Sequence, residues 1–139
     1  MSFSRGIFAG LIAGVIISIV YAIQFQLWSM AFDWFFPLFD TRTFIQGELF
    51  PLHFFVAVLW GMIFGLVYSK TNLAFHGDDS WLAIQFAAMF WGLTILPMLL
   101  FFWALIKIDA IVLLFWAKSF FIAFILGMIA LVKLYKRLP

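Results

Sequence analysis

The feature that most constrains this chain is the length of its apolar runs. Four of them reach the roughly 20 residues that a helix needs to cross the hydrocarbon of a bilayer. Only 10% of the residues are charged, against about 25% in an ordinary soluble domain. Because backbone groups in lipid must be hydrogen-bonded within the protein, such runs are expected to be helices. The predicted spans are at about residues 6–28, 51–70, 81–106 and 110–134.

These spans predict an all-α polytopic membrane protein with a single domain, residues 1–139. The expected architecture is an antiparallel four-helix transmembrane bundle. The segment between the first two spans differs in composition, because it mixes Phe and Trp with Asp33, Asp40, Arg42 and Glu48. Aromatic rings beside charges are typical of the headgroup zone. We therefore expect an interfacial aromatic loop or short helix there.

Small side chains recur at every fourth position of the first two spans, and residues i and i+4 share one face of a helix. The first ridge is Gly6, Gly10, Gly14, Ser18, Ala22 and Gln26, and the second ridge is His53, Ala57, Gly61, Gly65 and Ser69. Helices in lipid associate by close backbone approach, which such residues permit. The two ridges are therefore expected to pack on each other, with Gly6 near Ser69 and Gln26 beside His53.

The second and fourth spans are similar in sequence. Residues 53–70 aligned with residues 119–136 give seven identities, among them Gly61 with Gly127. The similarity predicts two repeated helical hairpins, related by an axis along the membrane normal. It also makes Gly127 a helix-packing residue of the fourth span. Chance similarity between two apolar segments is the alternative.

Two local signals mark the third span. Asp79 or Ser80 is the expected N-cap, since short polar side chains can accept a hydrogen bond from the first turn. Pro97 lacks a backbone N–H and is predicted to act as a hinge, with Thr94 or a neighbouring helix satisfying the carbonyl of Leu93.

The basic residues predict the topology. One side of a four-span arrangement receives Arg5, Lys70, Lys133, Lys136 and Arg137, and the other receives Arg42 and Lys107. By the positive-inside rule, both termini are expected to be cytoplasmic. A cleaved signal peptide over the first span is the alternative, although the apolar region of such a peptide has only about 7–15 residues. The Gly-rich first span and the second span that begins at His53 are similar, in a general way, to small four-span prokaryotic membrane proteins, which implies an inner (cytoplasmic) membrane.

Lys118 is the most informative ionisable residue, because it lies well inside the fourth span. A charged side chain within the membrane needs a partner, a hydrated cavity or a route to the interface. We therefore expect a polar cluster of Lys118, His53, Gln26 and an acid, with Glu48 first and Asp40 as a further candidate. The alternative is that Lys118 extends to the interface or makes a structural ion pair.

The sequence contains no cysteine, and the spacing of its His, Asp and Glu residues fits no metal motif. No nucleotide-binding or catalytic motif is present either, so no cofactor and no catalytic residue are predicted. The small net charge of +2 lies at the span ends and gives no reason to expect a nucleic acid. Membrane lipid is the expected partner, together with a second copy of the chain or a larger membrane complex.

Three functions are compatible with this pattern. The favoured one is a non-enzymatic accessory or self-associating membrane protein. The alternative is a transporter or channel component for a small solute, ion or proton, with Lys118 and His53 in an outward-facing vestibule. The third is a membrane-embedded enzyme with His53 as base and Lys118 as electrostatic stabiliser, which no motif supports.

Overall fold

The structure, a computed structural model, describes residues 3–31, 49–106 and 110–139. Its α-helices are α1 (Phe3–Ala31), α2 (Leu49–Thr71), α3 (Asp79–Phe90), α4 (Leu96–Ile106) and α5 (Ala110–Arg137). A π-helical turn (Trp91–Ile95) joins α3 to α4, and a short 3-10 turn (Asn72–Ala74) follows α2. The described part of the chain contains helices and turns but no strand, which confirms the predicted all-α class.

Four helical segments are long and apolar enough to cross a membrane, as the four apolar runs predict. They are Phe3–Trp28, Phe50–Ala74, Asp79–Leu105 and Ala110–Arg137. The third span combines α3, the π turn and α4. The predicted interfacial loop falls largely on residues 32–48, which lie outside the described residues, as do Glu48, Asp40 and Lys107.

Helix α1 is central, since α2 and α5 both pack against it and α3 packs against α5. The start of α1 and the end of α5 lie at one end of the bundle, called here the terminal end, where Arg5 and Leu138 line the same groove. The opposite end is called the distal end. Large aromatic rings fill the middle of the bundle: Phe64 of α2 stacks on Phe90 at a centroid distance of 4.1 Å and meets Phe124 of α5 edge-on at 5.2 Å. Long side chains thus connect α2 to helices that its backbone does not approach closely.

The N-cap of α3 is Asp78, so the predicted Asp79 or Ser80 is wrong by one or two residues. The Asp78 carboxylate accepts a hydrogen bond from the backbone N–H of Trp81, 3.2 Å away. Gly77 precedes it with a φ of +134°, a conformation that glycine adopts without strain. Asp79 instead forms an ion pair with Lys136 of α5.

The region of Pro97 contains a π turn just before the proline. There the N–H of Leu96 bonds to the carbonyl of Trp91, five residues back. The Thr94 hydroxyl donates to the carbonyl of Phe90 at 2.6 Å, not to that of Leu93 as expected. The reason is that the hydroxyl of a helical Thr reaches the carbonyl four residues back and not that of the preceding residue. π turns are frequent where a helix is locally disturbed.

Candidate functional site

The contact between α1 and α2 positions the second span, including His53. A Cβ added to Gly6 would lie 2.6 Å from the carbonyl oxygen of Gly65, and one added to Gly14 would lie 2.5 Å from that of Ala57. A Cβ added to Gly61 would lie 2.5 Å from the Cα of Gly14. No real Cβ is accommodated at such distances, so the two backbones touch along the ridges. Gly10 faces Gly61 in the same way, and Gly6 lies beside Ser69.

Gly127 of α5 also faces α1. Its added Cβ would lie 2.5 Å from Cγ1 of Ile17 and 3.1 Å from the carbonyl oxygen of Ala13. Gly61 and Gly127, which the alignment matches, therefore both pack on α1, which belongs to the hairpin of Gly61 but not to that of Gly127. The sequence similarity of the two hairpins is not accompanied by equivalent packing.

A cavity of about 200 Å³ lies in the distal half of the bundle, and all four spans contribute to it. Its lining is Ile17 of α1, His53, Val56, Ala57 and Trp60 of α2, Met98 of α4 and Phe120 of α5. His53 and Trp60 are the two lining residues whose side chains contain nitrogen, and the other lining side chains are apolar. This cavity is the candidate functional site of the described residues.

The imidazole of His53 packs on the ring of Tyr21, at a centroid distance of 4.9 Å. Tyr21 in turn stacks on Phe120 at 4.4 Å, so aromatic rings of α1 and α5 hold the imidazole from one side. Gln26 lines a different groove, together with Ala22 and Phe50. Gln26 is not among the residues that line the His53 cavity, and its expected pairing with His53 stays a prediction.

Lys118 does not point into the cavity. Its ammonium lies over the indole ring of Trp28, 3.8 Å from the centroid, and 5.3 Å from that of Phe115. Successive helical residues point in directions about 100° apart, and Phe120 is the α5 residue that faces His53. Lys118 is consequently not part of the His53 cavity. The acids of the predicted cluster lie outside the described residues, so the rest of that cluster stays a prediction.

One polar contact within the bundle escaped the sequence reasoning. The Gln24 side-chain amide donates to the carbonyl oxygen of Ser119 at 3.1 Å and so ties α1 to α5. A polar amide within an apolar span could have indicated Gln24, but the four-residue spacing of the ridge favoured Gln26 instead. The hydroxyls of Ser18 and Ser119 are buried without a hydrogen-bond partner among the described residues.

Within residues 3–31, 49–106 and 110–139, no three His, Asp or Glu side chains converge in a way that could hold a metal ion. The ionisable groups of this part gather mainly at the terminal end, where Lys136 pairs with Asp79 and the Lys70 ammonium lies 5.9 Å from the Phe3 ring centroid. Most of the ionisable groups of the described residues and the His53 cavity are thus at opposite ends of the bundle.

The fold and the cavity define a class, a polytopic helical membrane protein with an apolar, histidine-bearing cavity. Comparison of the chain with protein-family models, with curated proteins and with solved structures finds no match.

Proposed function

We propose that this protein is a non-enzymatic integral membrane protein that acts by associating within the bilayer, as a self-associating unit or as an accessory subunit of a larger membrane complex. The observation that carries the proposal is the separation of Lys118 from His53. Transport of a charged solute requires polar groups along a common path, and acid–base catalysis requires them at a common substrate. Here the ammonium of Lys118 rests on aromatic rings, whereas His53 lines an otherwise almost wholly apolar cavity.

The surface of α4 supports the same proposal. Among the described helices, α5 is the one that packs closely on this helix on the distal side, and Leu100, Phe101 and Trp103 are exposed. A groove of about 270 Å³ between α4 and α5 is lined by apolar side chains alone. Association of helices in a membrane uses surface packing of this kind, in competition with lipid.

The charge distribution supports a proposal for orientation and location. Lys70, Lys133, Lys136 and Arg137 lie at the terminal end together with Arg5. By the positive-inside rule, we infer that this end faces the cytoplasm and that the protein belongs to a prokaryotic inner (cytoplasmic) membrane. The absence of cysteine makes a direct test simple: Leu73→Cys, at a side chain 79% exposed, should react with a membrane-impermeant maleimide in inverted vesicles but not in intact cells. Labelling in intact cells would reverse the orientation.

Association is tested by cross-linking in native membranes. Single cysteines are placed at one exposed leucine on each of four helices: Leu11, Leu59, Leu100 and Leu114. A self-associating unit gives disulfide-linked dimers at a subset of positions, with Leu100→Cys expected to be strongest because α4 has the fewest neighbouring helices. An accessory subunit gives no dimer but co-purifies in mild detergent with another membrane protein at constant stoichiometry. A monomer that purifies alone and cross-links at none of the four positions would contradict the proposed function.

A further inference from the structure

We infer that α4 is a movable half of the third span, which tilts about residues 91–97 and widens the His53 cavity and the α4–α5 groove in alternation. Residues 91–97 comprise the π turn, Leu96 and Pro97 and are called here the hinge segment. Movement of α4 within one molecule goes beyond the proposed association and is independent of it.

The hinge segment combines three features that weaken or bend a helix. The backbone N–H of Leu96 bonds five residues back, to the carbonyl of Trp91, and Pro97 has no N–H with which to continue the ladder. The Thr94 hydroxyl donates to the carbonyl of Phe90 at 2.6 Å, and a side-chain bond of this kind often bends a helix. Proline, π turns and inserted side chains are the usual causes of sharp kinks. The junction of α3 and α4 is therefore less rigid than an uninterrupted helix.

The two halves of the third span are held to the bundle very differently. Five of the twelve residues of α3 are buried, and Asp79 at its start forms an ion pair with Lys136 of α5. In α4, burial ends at Leu99, which is 4% exposed. Of the next six residues, 100–105, five are exposed and Phe102 is partly covered. The described protein thus fixes α3 on α5 but leaves most of α4 exposed.

Unfilled space lies on two sides of α4. The His53 cavity, of about 200 Å³, lies between α4 and α2 and is lined on the α4 side by Met98. The groove of about 270 Å³ lies between α4 and α5, where Leu96 and Leu100 line it. Each of these leucines is two residues from Met98 and so points about 160° away from it. Since protein interiors are normally close-packed, this space gives α4 room to lean either way.

The expected movement is a tilt of the whole helix. Sharp kinks in helices exceed about 20°, and the axis of α4 from Leu96 to Leu105 is about 14 Å long. A tilt of about 20° at one end displaces the other end by about 5 Å. Residues 107–109 join α4 to α5 and can reach at most about 10 Å, so α4 leans without leaving α5.

The tilt changes the two spaces in opposite senses. When α4 leans toward α5, Met98 withdraws from the His53 cavity and the groove narrows. When α4 leans toward α2, the cavity narrows and the groove widens. Val56 lines the cavity and is 39% exposed, so the cavity reaches the lipid-facing surface of α2. The tilt of α4 therefore sets the width of the path from the bilayer to the cavity.

The test measures distances between spin labels by double electron–electron resonance, with one copy of the protein in each lipid nanodisc. The chain has no cysteine of its own, so labels attach only where cysteines are introduced. The moving pair is Leu52→Cys on α2 with Leu105→Cys on α4, both at exposed side chains. The control pair keeps Leu52→Cys and adds Trp81→Cys, at an exposed side chain of α3.

For the moving pair we expect two distance maxima about 5 Å apart, and for the control pair a single narrow maximum. Filling the two spaces should shift the populations in opposite directions. Val56→Phe, in the cavity, should favour the longer distance, and Ala117→Leu, in the groove, should favour the shorter one. Leu59→Phe, on the lipid-facing side of α2, is the matched control and should favour neither.

A further variant locates the hinge. Pro97→Ala restores the missing N–H and should merge the two maxima of the moving pair into one, without changing the control pair. A cooperative thermal unfolding transition establishes that each variant is folded. The smaller substitutions Val56→Leu and Ala117→Val take over where a larger side chain prevents folding.

Three results would overturn the inference. They are a moving pair with one maximum as narrow as that of the control pair, fillings of the cavity and the groove that fail to shift the populations in opposite directions, and two maxima that persist in Pro97→Ala. Because each nanodisc holds a single copy, none of these results bears on whether the protein associates in membranes. Failure here and failure of the proposed function are therefore distinguishable.

Discussion

Two of the interfaces that hold this bundle together are built in opposite ways. Between α1 and α2, glycines face glycines and the backbones touch, as at Gly10 and Gly61. Between the third span and α5, bulky side chains fill the contact: the Trp91 indole N–H donates to the carbonyl of Ala117 at 2.8 Å, and its ring meets Phe121 edge-on at 5.5 Å. A Cβ added to Gly92, next to this tryptophan, would have no atom within 4 Å.

The difference teaches that a small residue promotes close packing only where the facing helix also offers small residues at the same spacing. Gly92 stands opposite no such ridge, so a larger side chain, Trp91, makes the contact instead. Close backbone approach and aromatic filling are alternative solutions to association in lipid, where the hydrophobic effect does not drive helices together. This bundle uses the first between α1 and α2 and the second between the third span and α5.

The difference between the two interfaces is tested most strongly by adding one methyl group to each of them. Gly61→Ala would place a Cβ 2.5 Å from the Cα of Gly14, and overpacking of this kind should destabilise the protein by about 3 kcal/mol. Gly92→Ala has open space and should change the free energy of unfolding by no more than about 1 kcal/mol, in the stabilising direction expected from helix propensity. Unfolding in mixed micelles with increasing SDS, followed by tryptophan fluorescence, measures both. Equal effects of the two substitutions would remove the distinction.

The aromatic interface is tested by removing one hydrogen bond and keeping the ring. Trp91→Phe leaves the carbonyl of Ala117 without its indole donor, at an expected cost of about 1.5 kcal/mol. Trp103→Phe, at a side chain 59% exposed on α4, is the matched control and should have almost no effect. The same unfolding assay applies, and a control as destabilised as Trp91→Phe would mean that the indole hydrogen bond does not matter.

The start of the third span depends on local capping. Asp78→Ala removes the N-cap acceptor of α3 and should cost about 1 kcal/mol. Asp79→Ala removes only an exposed ion pair with Lys136, worth less than about 0.5 kcal/mol. Unfolding measured at low and high salt separates the two, because the second effect should fade with salt. A larger loss from Asp79→Ala would restore Asp79 as the important residue of this turn.

The smallest expected effect is at Lys118. Lys118→Met removes a cation from the faces of Trp28 and Phe115, an exposed interaction worth about 0.5 kcal/mol. A double-mutant cycle with Trp28→Leu should recover that value as coupling, whereas Lys133→Met, at an exposed position of the same helix, should show no coupling to Trp28. A loss of several kcal/mol would indicate that Lys118 is part of a buried polar network.

Much of the fold was predictable because it depends on properties that a sequence displays directly. The length of the apolar runs gives four spans, and spacing by four places Gly6, Gly10 and Gly14 on one face of α1 opposite Gly61 and Gly65. Which helix Gly127 faces was not predictable, since the position of α5 around α1 depends on all the interfaces at once. Similarity to the second span indicated that Gly127 is a packing residue but not which helix it faces.

The site was predictable only in part. His53 is a polar residue in an apolar span and was identified for that reason. The cavity beside it was not, because a void results from side chains of four helices, including Met98 and Phe120, that no local pattern connects. Lys118 was assigned to the same site from its depth alone, and depth does not determine the direction in which a helical side chain points.

The most direct test of the central contact is the distance between glycine α-protons across α1 and α2. With glycine selectively labelled and the protein in lipid nanodiscs, backbone contact predicts nuclear Overhauser effects between the α-protons of Gly14 and Gly61, and none from Gly92 to another glycine. Glycines of α1 and α2 that show cross-peaks only to lipid acyl chains would contradict the contact on which this bundle is built.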